Sequence, residues 1–250
     1  MNHRQRYPTI IAGTGLAALL VLPSLGFGQS LGSAANFAVL AGSAVTSTGA
    51  TAILGNVGVS PGTSITGLPA GQPTGGALHA GDAVAALAQS DLTIAYNALA
   101  GKICGTNLTG QDLGGQTLTP GVYCFNASAP LTGTLTLDGQ GNGAAVFVFQ
   151  IGSTLITAAN AALSLIGGAQ AANVYFQVGS SATLGAGTAL GGNIVALASI
   201  TMNTGATLTG RALARNGAVT MIANTVGGSV VATRESTWGL IKVLYRDATK

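Results

Sequence analysis

Charged side chains are scarce in this chain, and their scarcity excludes most functional classes at once. Only 6% of the 250 residues are Asp, Glu, Lys or Arg, aromatics make up 5%, and there are two histidines. Proton transfer and nucleophilic attack need titratable groups held close together. Between residues 29 and 228 the sequence offers His79 and the scattered aspartates Asp82, Asp91, Asp112 and Asp138, with no clustered Glu and no histidine placed to activate a serine. His79 and Asp82 read as capping or inter-element contacts at the start of a helix, where a carboxylate suits the helix dipole. No catalytic residue, cofactor or metal site is expected. The net charge of +3 carries no message either, because residues 1–28 hold +2, residues 229–250 hold +2, and the stretch between them holds −1. Nucleic-acid binding needs a clustered basic face, so no such partner is expected.

Long apolar runs are also few. Residues 10–22 form one, preceded by Arg4 and Arg6 and followed by Pro23 and the small-residue site Gly26-Phe27-Gly28. The run is short for a bilayer span. Residues 1–28 therefore read as a secretory signal cleaved near Gln29, with the mature protein exported to the cell surface, the medium or the periplasm and free of the membrane. Cysteine is limited to Cys104 and Cys124. In an exported chain that pair suggests one disulfide, closing a loop of about 20 residues and contributing roughly 3 kcal/mol.

The chain is rich in small residues: glycine occurs 39 times, and alanine and threonine dominate much of the remainder. Four segments spell nearly one phrase: FQIGSTL at 149–155, FQVGSSATL at 176–184, VALASITM at 195–202 and LARNGAVTM at 213–221. Such repetition marks a solenoid in which each coil covers the apolar face of the next. Thr183, Thr201 and Thr220 recur at spacings of 18 and 19 residues, with Thr154 aligned as the first of the series across a longer gap. Ile200 and Met202, Val219 and Met221, and Ala182 and Leu184 flank these threonines and are expected to point inward, leaving the threonines outward. Neighbouring strands lie ~4.7 Å apart and same-face residues in one strand ~6.7 Å apart. The result is a flat grid of hydroxyls and methyls, suited to ordering water. Ala44-Val45-Thr46 repeats Ala218-Val219-Thr220, so an N-terminal coil is expected to extend the ladder built by the C-terminal one, adding Thr46 to the series.

One segment changes period. From about 77 to 100 the spacing predicts a long helix, with Val84, Leu87, Ala88, Asp91, Ala95 and Ala98 on one stripe, Ile94 and Leu99 beside it, and Gly101 as its stop. A cysteine-containing cap follows over about 101–130, within a solenoid domain spanning 29–228. Residues 229–250 form a tail in which Trp238, Ile241 and Tyr245 could share one helical face.

Several phrases together resemble the microbial ice-binding protein family: LGSAANFAVLAG at 31–42, GNVGVSPG at 55–62, the helix over 83–96, LTPGVY at 118–123, VFVFQIG at 146–152 and GRALARNG at 210–217. The resemblance spans residues 31–226. It implies a mostly β fold, a right-handed discontinuous β-solenoid of triangular section with one long α-helix packed alongside. It also implies an ice crystal surface as the partner of a monomeric, non-enzymatic protein. Family members bind ice through Thr-Ala/Gly-X-Thr/Asn motifs on a flat face, which by resemblance nominates Thr48, Thr51, Thr157, Asn160, Thr204 and Thr207 beside the ladder threonines. Ala186, Ala189, Ala223 and Val226 interrupt the pattern, so an imperfect face of moderate activity is expected. The competing reading is a surface adhesin or matrix module that uses the same face to bind glycan or protein.

Overall fold

A computed structural model describes residues 29–228. The expected signal segment and the C-terminal tail lie outside the described residues.

All strand pairings are parallel, and they fall into three ladders, one per side of each coil. The first runs through Leu78–Ala80, Asn56–Val59, Phe37–Ala41, the second half of Thr207–Ala214, the second half of Ala189–Ala196, Val174–Val178, Phe147–Ile151, Gly121–Phe125 and Thr106–Asn107. The second runs through Ala129–Leu131, Leu155–Thr157, Ala182–Leu184, Ile200–Met202, Val219–Ile222, Ala44–Thr48 and Ser64–Thr66. The third joins Thr117–Leu118, Thr134–Asp138, Ala162–Ile166, the first halves of the two long strands, Thr225–Gly227 and Ala52–Leu54. In every ladder the N-terminal coil stacks on the C-terminal one: Val39 pairs with Ala212, Thr46 with Thr220, and Ala52 with Thr225. The stack is therefore discontinuous in sequence, as the repeated Ala-Val-Thr phrase implies.

The two long strands serve two ladders because each turns a corner at glycine. Gly192 and Gly210 have φ of 130° and 151°, and a Cβ on Gly210 would stand 1.9 Å from the Gly192 carbonyl oxygen. Any larger residue at position 210 pushes adjacent coils apart.

Inside the coils the core is a column of aliphatic and aromatic side chains. Phe149 stacks on Phe176 at 4.9 Å and on Tyr123 at 5.5 Å between centroids, one ring per coil. The first ladder is buried on both faces, since Phe37–Ala41 and Val174–Val178 are buried throughout. Its outer cover is the helix α1, Ala83–Ala100, whose Leu92, Tyr96 and Leu99 share a cluster with Phe37, Leu40, Val148, Tyr175, Val195 and Leu213.

Helix α1 differs from the sequence expectation in two ways. It begins at Ala83 rather than near 77, because Leu78–Ala80 is claimed by a strand pairing with Asn56–Val59, and Asp82 then caps the helix by accepting from Ala85 N at 2.8 Å. Its inner face is Ala85, Ala88, Leu92, Ala95, Tyr96 and Leu99, whereas Val84, Leu87 and Ile94 face out. Backbone approach to the sheet selects small residues for the inner side, so the most apolar stripe is not the buried one. At the other end Gln150 Nε2 donates to the carbonyls of Leu99 and Lys102, both at 2.8 Å, fastening the last turn and the residues just beyond it to the first ladder. Cys104 and Cys124 form a disulfide that staples the cap to the first ladder.

Candidate functional site

The outward side of the second ladder is where strand alternation and stacking coincide. Leu155, Ala182, Leu184, Ile200, Met202, Val219, Met221 and Val45 are fully buried beneath it. Each strand therefore presents its alternate residues to solvent. The register puts Thr183 beside Thr201, Thr201 beside Thr220, Thr220 beside Thr46, and Thr46 beside Thr66. This is an unbroken file of five threonines, and Thr46 Oγ1 donates to Thr220 Oγ1 at 3.2 Å across the junction of the two chain ends. Toward the cap the file continues as Ile156 and Pro130.

A second file of small residues runs beside it, two positions earlier in each strand: Ser128, Thr154, Ser181, Ser199, Ala218, Ala44 and Ser64. From Ser128 to Ser199 its hydroxyls are tied down. Ser128 and Thr154 share a hydrogen bond of 2.7 Å, Ser199 N donates to Ser181 Oγ at 3.3 Å, and Ala218 N donates to Ser199 Oγ at 3.2 Å. Neither file contains a charged residue. The described charges sit elsewhere: Asp82 and Asp91 on or beside α1, Lys102 and Asp112 in the cap, Asp138 at the end of a third-ladder strand, and Arg211 and Arg215 on the helix side.

Thr154 does not stack on Thr183. Leu155 pairs with Ala182 and Ile156 with Thr183, so Thr154 belongs to the serine file, one step aside from the central one. The residues of the four-residue motif also separate. Thr48 is exposed at the end of its strand, opposite Ile222. Thr204 and Asn160 are exposed in the turns between the second and third ladders, and Thr207 opens the third ladder between Ala189 and Thr225. Thr51 and Thr157 are 2% and 3% exposed. Both serve as corner posts: Thr157 Oγ1 lies 2.7 Å from Thr188 Oγ1 and accepts from Gly185 N at 2.9 Å, and Ser47 Oγ donates to Thr51 Oγ1 at 2.7 Å.

Thr66, Ser64, Ser181 and Ser199 are outward residues that the sequence reading passed over. A signal for two of them exists, because Ser64-Ile65-Thr66 repeats Ser199-Ile200-Thr201 letter for letter.

The surrounding chemistry is structural. Asp91 accepts from the backbone N and hydroxyl of Ser33, at 2.7 and 2.6 Å, and the Ser33 hydroxyl followed by its N–H holds the carboxyl below the usual range. Asp82 is likewise lowered, first by the Ala85 N–H and then by His79, whose Nδ1 lies 2.7 Å away. Arg215 stands 4.8 Å over the Tyr96 ring. Among the described residues no three His, Cys, Asp or Glu come together as a metal would require, and no helix is long and apolar enough to cross a membrane.

Residues 39–227 match the family model described as ice-binding-like. The chain belongs to this ice-binding family. An ice-binding protein of Nostoc sp. (strain HG1) is 51% identical to it over 226 residues, covering 90% of this chain and 83% of the relative. Among solved structures, an ice-binding protein from an Antarctic biological consortium superposes with a TM-score of 0.77 at 47% identity, covering 84% of this chain and 95% of that one. The ice-binding protein of the Antarctic ascomycete Antarctomyces psychrotrophicus gives the same TM-score at 42% identity, covering 82% and 100%. The family is one of ice binders and not of enzymes, in keeping with the paucity of titratable groups.

Proposed function

We propose that this protein is an exported, monomeric ice binder that adsorbs to ice through the outward side of its second ladder and thereby slows ice growth and recrystallisation. The observation that carries this reading is the in-register file Thr183, Thr201, Thr220, Thr46 and Thr66, uncharged and set on a floor that is fully buried from Thr183 to Thr46. Threonine offers a hydroxyl that anchors water and a methyl around which water orders. Each anchored water contributes on the order of 1 kcal/mol or less. A useful total comes only from an array already held in place, because ordering mobile groups on contact would cancel it. The bonded serine file and the parallel ladder supply that rigidity. Ice between adsorbed molecules then grows as curved fronts, which lowers the local freezing point.

The test is thermal hysteresis and recrystallisation inhibition on the folded protein beside two variants of unchanged circular dichroism. Thr201→Tyr with Thr220→Tyr breaks the flat file and is expected to abolish most activity. Thr207→Tyr, on the third ladder, is expected to leave most of it. Full activity in the double variant would refute this face, and inactivity of the wild type would move the reading to an adhesin or matrix module.

A further inference from the structure

The second ladder is longer than its file of threonines. Leu155–Thr157 pairs in register with Ala182–Leu184, which sets Ile156 beside Thr183, and Pro130 follows beside Ile156. The floor under this coil is the same as under its neighbours: Leu155 is 0% and Thr157 3% exposed, and between them Ile156 is 49% exposed. The sheet therefore carries the outward surface one coil beyond Thr183. What changes there is a side chain.

In each coil two outward positions stand side by side. Where the central one is threonine, from Thr183 to Thr66, its companion two residues earlier is serine or alanine. In the Leu155–Thr157 coil the order is reversed, with the hydroxyl on Thr154 and a bare aliphatic branch on Ile156. The Thr154 hydroxyl already shares a 2.7 Å hydrogen bond with Ser128, so part of its capacity is spent within the protein. Ile156 offers apolar surface around which water orders, and neither a donor nor an acceptor to hold it. Isoleucine and threonine are both branched at Cβ and both suit a strand, so the backbone at this position accommodates either. We propose, resting on the ice face described above, that Ile156 is a sixth ice-contacting position and the one that limits the face. Its coil orders water without anchoring it.

The test is recrystallisation inhibition over a dilution series, with circular dichroism confirming the fold of each variant. Ile156→Thr adds a sixth hydroxyl to the file and is expected to lower the protein concentration needed for half-maximal inhibition by roughly twofold to fivefold. Ile156→Val trims the side chain without supplying a hydroxyl and is expected to fall short of the threonine variant. Ile156→Asp brings a carboxylate whose own water shell must be stripped on contact, and is expected to raise the required concentration by roughly tenfold or more. No gain from threonine, or an equal gain from valine, overturns the assignment of the limit to the missing hydroxyl. Indifference to Ile156→Asp in a protein that is active and still loses activity with Thr201→Tyr and Thr220→Tyr places this coil outside the contact and overturns the sixth position alone. Failure of the face itself is recognised separately, by an inactive parent or a fully active Thr201→Tyr, Thr220→Tyr variant.

Discussion

One residue type does three jobs in this protein, and its neighbours decide which. Thr201 stands outward between two buried residues and meets solvent. Thr157 stands inward at a corner, where its hydroxyl links adjacent coils through Thr188 and Gly185. Thr207 begins a different ladder. Thr157→Val keeps the shape and strands buried partners, so it is expected to cost about 1–3 kcal/mol in denaturant unfolding while leaving ice activity of the folded protein unchanged. The outward threonines of the last three coils were legible in the sequence because their flanks alternate cleanly. Thr154 was placed one file away because it was matched by identity. The frame Phe-Gln-x-Gly-Ser, shared by residues 149–153 and 176–180, sets the register instead, and it pairs Phe149 with Phe176 and Ile156 with Thr183. Asp91 shows residue-scale chemistry of another kind. Its carboxyl is held below the ordinary aspartate range, so its stabilising contribution is complete above that range and is lost as pH falls through the folded value. The gap between the thermal midpoints of the parent and Asp91→Asn is therefore expected to be constant above about pH 5 and to close on further acidification.

At the scale of the element, α1 shows why existence is easier to read than orientation. Its length, its lack of internal glycine and proline, and its glycine stop announce a helix. Its buried face is governed by how near the backbone must come to the first ladder, and alanines at 85, 88 and 95 carry that information with little hydrophobic contrast. Leu92→Ala removes a fully buried side chain between helix and sheet and is expected to lower unfolding free energy by about 2–5 kcal/mol. Leu87→Ala, at a position 59% exposed, is expected to change it by no more than about 0.5 kcal/mol. Chemical denaturation of the two variants side by side distinguishes the observed face from the one the apolar stripe suggests.

At the scale of the molecule, the seam between chain ends dominates. Every coil contact from Phe37 to Ala52 with the 207–227 region joins residues far apart in sequence, a topology that slows folding. Removing residues 29–80 would leave Val219–Ile222 as an unpaired parallel edge and shorten the threonine file from five to three. Loss of soluble folded protein, read by size exclusion and circular dichroism, is the expected result. The solenoid was legible because its coils repeat. The course of the corners was not, since turns and glycines fix it without periodicity.

The far end of the second ladder is finished differently. Pro130 has no N–H to offer a further strand, and its carbonyl already accepts from Leu113 N of the cap at 3.0 Å. The stack thus resembles a ruler with a sealed end: neither another molecule nor a misaligned coil can be added there. On the proposed reading, the length of the surface offered to ice is then fixed from within, by how many coils carry threonine between this sealed end and the strand Ser64–Thr66.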